Sequence, residues 1–167
     1  MNIPLLIFTI LFGSSVYTED ISLNEVRTLY QRSASEKKSC AKLVTLLQSY
    51  NETINPSLAG YKACATMMMA KYVLNPIKKL SNFIDGRKLL EKCIKADNKN
   101  IELRFLRFTV QNKSPSFLGY KSSIAADKTF LINSVSMIKD IQLKQFVLSF
   151  LMTSEYLTSV EKQNIQL

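Results

Sequence analysis

The chain has 167 residues, with 22 Lys and Arg against 13 Asp and Glu and no His, which gives a net charge of +9. The absence of His removes the commonest general base and the commonest metal ligand. The sequence also contains no Gly-rich phosphate loop, no G-x-S-x-G elbow and no C-x-x-C pair, so the familiar enzyme templates are excluded. We predict a protein that is not an enzyme and that holds no metal and no cofactor.

The composition also favours a helical fold. Only four Gly, four Pro and no Trp are present, whereas Leu, Lys, Ile and Ala are abundant, a balance that favours helices over short strands. A chain of this length supports one hydrophobic core. We therefore predict a single all-α domain over residues 18–167, with about seven helices packed as antiparallel αα-hairpins.

The first 17 residues resemble a secretory leader. A largely apolar stretch at residues 3–12 is followed by Gly13, Ser14 and Ser15 and then by two acidic residues. About ten apolar residues match the core of a signal peptide, whereas a membrane span needs about 20. We predict a cleaved signal peptide at residues 1–17, export to the periplasm or the medium, and no transmembrane span in the mature chain.

Helix start signals follow one another along the N-terminal half. Ser22 and Glu25 have the spacing of a capping box and predict a helix to about Gln31. A second helix is predicted over residues 36–50, with one apolar face formed by Cys40, Leu43, Val44, Leu47 and Tyr50.

Two Asn-Pro pairs predict the next two helices. Asn55 and Asn75 are each followed by a proline, which places an N-cap residue before a proline at the first helical position. Helices are therefore predicted over residues 56–74 and 77–96.

These two helices are predicted to form a close hairpin. The first of them is rich in small residues, and an antiparallel arrangement about Asn75 brings Cys64 level with Gly86. Inside a helix Gly86 is less favourable than Ala by about 1 kcal/mol, so we expect a close contact there to justify it. The helix over residues 77–96 should have a basic outer side and a broad apolar face. This face is formed by Leu80, Phe83, Ile84, Leu90 and Ile94, and Arg87 projects into it.

The segment at residues 98–120 predicts a central helix that is covered on two sides. At helical spacing one side carries Ile101, Phe105 and Phe108, and the opposite side carries Leu103, Leu106 and Val110. The thin polar sectors between them hold Arg104, Arg107 and Gln111 on one edge and Glu102 and Thr109 on the other. The helix should stop at residues 112–114, and Pro115 should open a short turn that ends at Gly119, with Tyr120 as an anchor.

The arginines of this helix allow two interpretations. An unpaired buried charge costs several kcal/mol or more, so Glu102 or Asp127 is expected to pair with them as a structural partner. Alternatively, they line a pocket for a small anion. The structural interpretation is favoured because no Gly-rich or helix-N-terminal cradle lies nearby. The residues of the predicted anion site are Arg87, Arg104, Arg107, Gln111 and Tyr120.

Three further helices are predicted after the central one. They cover residues 123–133, residues 140–153 and a last segment that begins at Thr158, with Glu161 in capping-box spacing.

The three cysteines are predicted to be free and buried. Cys40, Cys64 and Cys93 are an odd number, and the predicted helix pairs leave them out of register for a disulfide, which needs Cα atoms within about 7 Å. Small buried thiols explain them better.

Two resemblances bear on the fold. The run of Phe83, Gly86, Leu90, Cys93, Asn98 and Asn100 resembles the second half of a tetratricopeptide repeat. This resemblance implies a tetratricopeptide-like layer, with an irregular bundle as the alternative. Residues 56–130 are similar to a group of uncharacterised exported helical proteins of Bacteroidota, through Asn75-Pro76, Gly86, the string IELRFLRF at residues 101–108, Gln111, Pro115 and Leu118-Gly119-Tyr120. This second resemblance implies an envelope or secreted helical domain and carries over no activity.

The excess of positive charge indicates an anionic partner. Residues 78–99 contain seven basic and three acidic residues, yet no aromatic-basic interleaving indicates nucleic acid. We expect another envelope protein or an anionic surface, such as lipid, as the partner. The leading hypothesis is a non-enzymatic interaction or scaffold protein, and the alternatives are a small-anion binder and an enzyme of unrecognised type.

Overall fold

A computed structural model describes residues 21–165, and these residues form helices and turns without any strand. The all-α class and the expected number of about seven helices are thereby confirmed. The predicted signal peptide at residues 1–17 lies outside the described residues. The eight α-helices are α1 (Leu23–Ser33), α2 (Lys37–Leu46), α3 (Pro56–Met69), α4 (Pro76–Ala96), α5 (Ile101–Lys113), α6 (Ile124–Ser134), α7 (Ile141–Thr153) and α8 (Ser159–Asn164).

Short polar side chains start most of the helices at the predicted places. Asn55 and Asn75 accept backbone N–H groups from the first turns of α3 and α4, and Asn100 does the same for α5. Thr158 and Glu161 form both halves of the predicted capping box. Each such cap contributes about 1 kcal/mol. Ser22 stands at the N-cap of α1 but makes no side-chain cap bond, so the capping box predicted there is absent.

Two helices end earlier than predicted. The second helix ends at Leu46 rather than at residue 50, because Lys62 of α3 donates to the free carbonyls of Gln48 and Tyr50 and satisfies them outside the helix. The third helix ends at Met69 and continues only as a 3-10 turn, Ala70–Tyr72. Leu74 beyond it is almost fully exposed, so no apolar contact holds another helical turn there.

The odd-numbered helices form a row in which α1 contacts α3, α3 contacts α5, and α5 contacts α7. The helix α2 packs against α1 and α3, α4 packs against α3 and α5, and α6 packs against α5. From α1 to α6, helices that are neighbours in sequence are therefore also neighbours in space. The closest pair is α3 with α4.

Glycine permits this closest approach. A Cβ on Gly86 would collide with the backbone oxygen of Ala63 and would lie 2.6 Å from Cγ of Met67. The predicted close contact of Gly86 with the preceding helix is thus confirmed, and it is made at Ala63, one residue before Cys64. A Cβ on Gly60 would likewise collide with Leu103, so α3 approaches α5 closely as well.

The helix α5 divides the hydrophobic core into two parts. Leu103 and Leu106 are buried in the part built with α1–α4, and Phe105 and Phe108 are buried in the part built with α6 and α7. Both apolar sides predicted for the central helix are therefore confirmed. On the second side Phe105 meets Phe146 edge to face, with ring centres 4.9 Å apart.

The apolar face predicted for α4 is only partly buried. Phe83, Leu90 and Ile94 lie in the core, whereas Leu80 and Ile84 are exposed. The residues of α4 that are buried, such as Phe83, Gly86 and Leu90, centre on one side of the helix, and at 100° per residue Leu80 and Ile84 lie roughly 90–130° away from that centre. The prediction was wrong at these two positions because periodicity does not show how much of a broad apolar face a neighbouring helix covers.

We expect Gly86→Leu to lower the free energy of unfolding by at least about 1–3 kcal/mol, because the added side chain overpacks the contact with Ala63 and Met67. Urea denaturation measures this. Lys88→Leu, at an exposed position of the same helix, is the matched control and should change stability little. Equal stability of the two variants would contradict the close contact.

Candidate functional site

The polar sector of α5 is an ion-pair cluster centred on Asp127. Arg107 grips this carboxylate with two parallel hydrogen bonds, Nε to Oδ2 at 2.7 Å and Nη2 to Oδ1 at 2.9 Å. Arg104 also donates from Nε to Oδ1. Asp127 is fully buried and lies in the first turn of α6, where the helix dipole favours a negative charge. The sequence expectation that Asp127 serves as a structural partner agrees with this geometry.

A second carboxylate completes the cluster. Nη1 of Arg107 donates to Oε2 of Glu91 on α4 at 2.8 Å, and the hydroxyl of Tyr120 donates to Oε1 of Glu91 at 2.5 Å. Two guanidinium charges therefore face two carboxylates, and the cluster of Glu91, Arg104, Arg107 and Asp127 is neutral. It joins α4, α5 and α6 through charge-assisted bonds.

The protonation states follow from these contacts. Burial lowers the pKa of Arg107, but its hydrogen bonds and attraction to Asp127 and Glu91 outweigh burial and hold the pKa above its usual value. Burial, and then the hydrogen bond to Glu91, raises the pKa of Tyr120. Arg107 therefore stays charged and Tyr120 stays a donor at neutral pH.

The other two members of the predicted anion site do not join this cluster. Arg87 is exposed, and its guanidinium carbon lies 4.8 Å from the ring centre of Tyr120, a cation–π contact on the outside of the protein. Gln111 is completely buried, and neither atom of its amide has a hydrogen-bond partner among residues 21–165. The five predicted residues thus lie along one edge of α5 without forming one pocket.

Sequence reasoning missed a second buried cluster, on the opposite edge of α5. Glu102 accepts from Nε of Arg27 at 2.7 Å and from the hydroxyl of Tyr61 at 2.6 Å. Arg27 also donates to Asp140 at 2.7 Å. Glu102 is therefore the partner of Arg27, and the expectation that it pairs with Arg104 or Arg107 is corrected. Arg27 directly follows Val26 in an amphipathic helix, a position whose burial the sequence alone does not show.

Neither of two surface depressions belongs to these clusters. One, of about 390 Å³, lies over α1 beside Arg32, Lys42 and Gln142. The other, of about 300 Å³, lies beside Lys121 and Tyr156. None of the five residues of the predicted anion site lines either depression.

The three cysteines are free and buried, as predicted. The thiol of Cys40 donates to the backbone oxygen of Ala65 at 3.3 Å. Burial raises the pKa of Cys40 and of Cys93 to about 11 and raises that of Cys64 as well. Thiols with raised pKa values are poor nucleophiles at neutral pH, so these positions serve packing.

These features define a basic all-α domain whose buried charges are paired internally. Comparison with protein-family models, with curated proteins and with solved structures found no match to this chain.

We expect Arg107→Met to lower the free energy of unfolding by about 3–5 kcal/mol, because it removes the two-bond partner of a fully buried carboxylate. Thermal and urea denaturation measure this, and Lys88→Met at an exposed position is the control. If Arg104→Met and Arg107→Met melt no lower than the parent, the structural role of these arginines is contradicted. Stabilisation of the parent alone by small anions would then identify an anion pocket.

We also expect the free energy of unfolding to fall as pH rises from about 9 to 11. The thiols of Cys40 and Cys93 have pKa values of about 11 in the fold against 9.0 when unperturbed. Over this range the unfolded chain loses protons that the folded protein keeps, and this stabilises the unfolded state. Urea midpoints across this pH range measure the decline, which should be shallower in Cys40→Ala. A flat profile would show that the thiols are not buried as described.

Proposed function

We propose that this protein is an exported, non-enzymatic helical interaction module that attaches to an anionic partner through the exposed side of α4. The observation that carries the proposal is a row of exposed apolar side chains, here named the α4 stripe. It consists of Leu74, Ile77, Leu80 and Ile84, which are 96%, 80%, 51% and 37% exposed.

The stripe is contiguous along the chain. Ile77, Leu80 and Ile84 follow one another at intervals of three or four residues, so they lie on one side of the start of α4, and Leu74 lies just before the helix. Single exposed apolar residues are common on soluble proteins, but contiguous apolar patches mark interaction sites. The stripe is the feature that most favours a docking role.

The charge around the stripe favours an anionic partner. The segment at residues 74–88 contains one acidic residue, Asp85, and four basic residues, Lys78, Lys79, Arg87 and Lys88. These basic side chains are exposed, and none of them forms an ion pair within residues 21–165. They remain available to a partner of opposite charge.

The alternative functions have less support. A small-anion binder needs surplus positive charge, but Arg104 and Arg107 are already balanced by Asp127 and Glu91. An enzyme needs a poised acid, base or nucleophile, whereas the buried carboxylates Glu102 and Asp127 accept hydrogen bonds from arginines and a tyrosine. A non-enzymatic role agrees with both observations.

Export is part of the proposal and is supported by the leader-like pattern of residues 1–17 and by the resemblance to exported helical proteins of Bacteroidota. Among residues 21–165, no helix has the length and apolar character required to cross a membrane.

Cell fractionation tests the proposal. In cells that produce the full chain, the protein should be recovered with the envelope, and Leu80→Glu/Ile84→Glu should reduce the bound fraction about tenfold by removing apolar contact. The matched control is Ile54→Glu/Val160→Glu, which makes the same change of charge at two exposed apolar residues outside the stripe.

Mass spectrometry of the recovered protein should show a mature chain that begins near residue 18. An unchanged distribution of Leu80→Glu/Ile84→Glu would overturn docking through the stripe, and an intact Met1 in exported protein would overturn the cleaved leader.

A further inference from the structure

We infer that the partner of the α4 stripe is the surface of an anionic lipid bilayer, on which the start of α4 lies with its apolar side chains inserted between the headgroups. This inference depends on the proposed function and names the partner class. Its evidence is the narrow apolar stripe at the exposed start of α4 and the placement of the charges around it.

The start of α4 is exposed. All residues from Pro76 to Ser81 are exposed, although the turn Ala70–Tyr72 packs against α4. At 100° per residue, Ile77, Leu80 and Ile84 fall within an arc of about 60°. A helix with a narrow exposed apolar stripe beside polar residues is typical of helices that lie in a membrane interface.

The charges are arranged as such a helix requires. Lys78 and Lys79 lie on the side away from the stripe, where their long side chains can extend along the helix to reach phosphate groups. Arg87 and Lys88 lie beside the inner end of the stripe. The single carboxylate, Asp85, accepts a hydrogen bond from Ser81 at 3.0 Å. Residues 78–88 of α4 therefore offer four positive charges to anionic headgroups.

The observations favour lipid over the two other occupants. A second copy of this chain would bring the stripe and its four basic residues against an identical positive surface, with repulsion between like charges. A protein partner would need a groove that fits the α4 stripe. A fluid bilayer needs no such shaped counterpart to bind an apolar stripe with lysines nearby. The lipid bilayer is therefore the occupant we propose.

The absence of Trp from the chain makes a local fluorescence test possible. Purified Leu80→Trp should shift its emission to shorter wavelength when mixed with vesicles of equimolar phosphatidylcholine and phosphatidylglycerol, because the indole leaves water. Val160→Trp, at an exposed position of α8, should not shift. Equal shifts in both variants, or no shift in Leu80→Trp, would overturn the inference.

Vesicle flotation measures the affinity with the otherwise unaltered protein. Binding should be strong on the phosphatidylglycerol vesicles, weak on phosphatidylcholine alone, and reduced by salt. Each of Lys78→Gln and Lys79→Gln should weaken binding about fivefold. Leu80→Glu/Ile84→Glu should abolish it, and the control Ile54→Glu/Val160→Glu should retain most of it. Equal binding of the two double variants would overturn the inference and would place lipid binding elsewhere in the chain.

The result separates this inference from the proposed function. If Leu80→Glu/Ile84→Glu releases the protein from the envelope of cells but the purified parent does not bind vesicles, the partner is a protein and only the lipid inference fails. If neither experiment shows an effect of the stripe, both fail. A dimer of the purified parent that dissociates in Leu80→Glu/Ile84→Glu would identify a second copy as the occupant and would also overturn the lipid inference.

Discussion

The pairing of buried charge along α5 is the constraint on which the rest of the structure depends. Because α5 is packed on two apolar sides, the charged side chains between those sides cannot reach bulk water and need partners from neighbouring helices. Asp127 of α6 and Glu91 of α4 satisfy one edge. Arg27 of α1 and Tyr61 of α3 satisfy the other edge through Glu102. Four helices, α1, α3, α4 and α6, are therefore bonded to this single helix.

This internal pairing also shapes the surface of the protein. The arginines and carboxylates of the interior balance one another, so the net charge of +9 is carried by exposed side chains, most of them lysines. A surface of this kind attracts anionic partners without a preformed pocket. The function proposed here accordingly assigns recognition to an exterior ridge and assigns the buried arginines to stability.

The rigid hairpin of α3 and α4 gives that ridge its form. Close backbone contact at Gly86 fixes one side of α4 against α3. Ile77, Leu80 and Ile84 lie on another side of α4, and their exposure leaves them free to contact another surface.

Local patterns in the sequence determined the helices and much of their packing. The Asn-Pro pairs set two helix starts because an N-cap and a proline act within one turn, and periodicity identified both apolar sides of α5. Gly86 indicated the close hairpin. Only the tertiary structure decided that Glu102 pairs with Arg27, 75 residues away, and that Leu80 is exposed. Both depend on which helices become neighbours and on which side of each helix a neighbour covers, and no pattern within one helix carries that information.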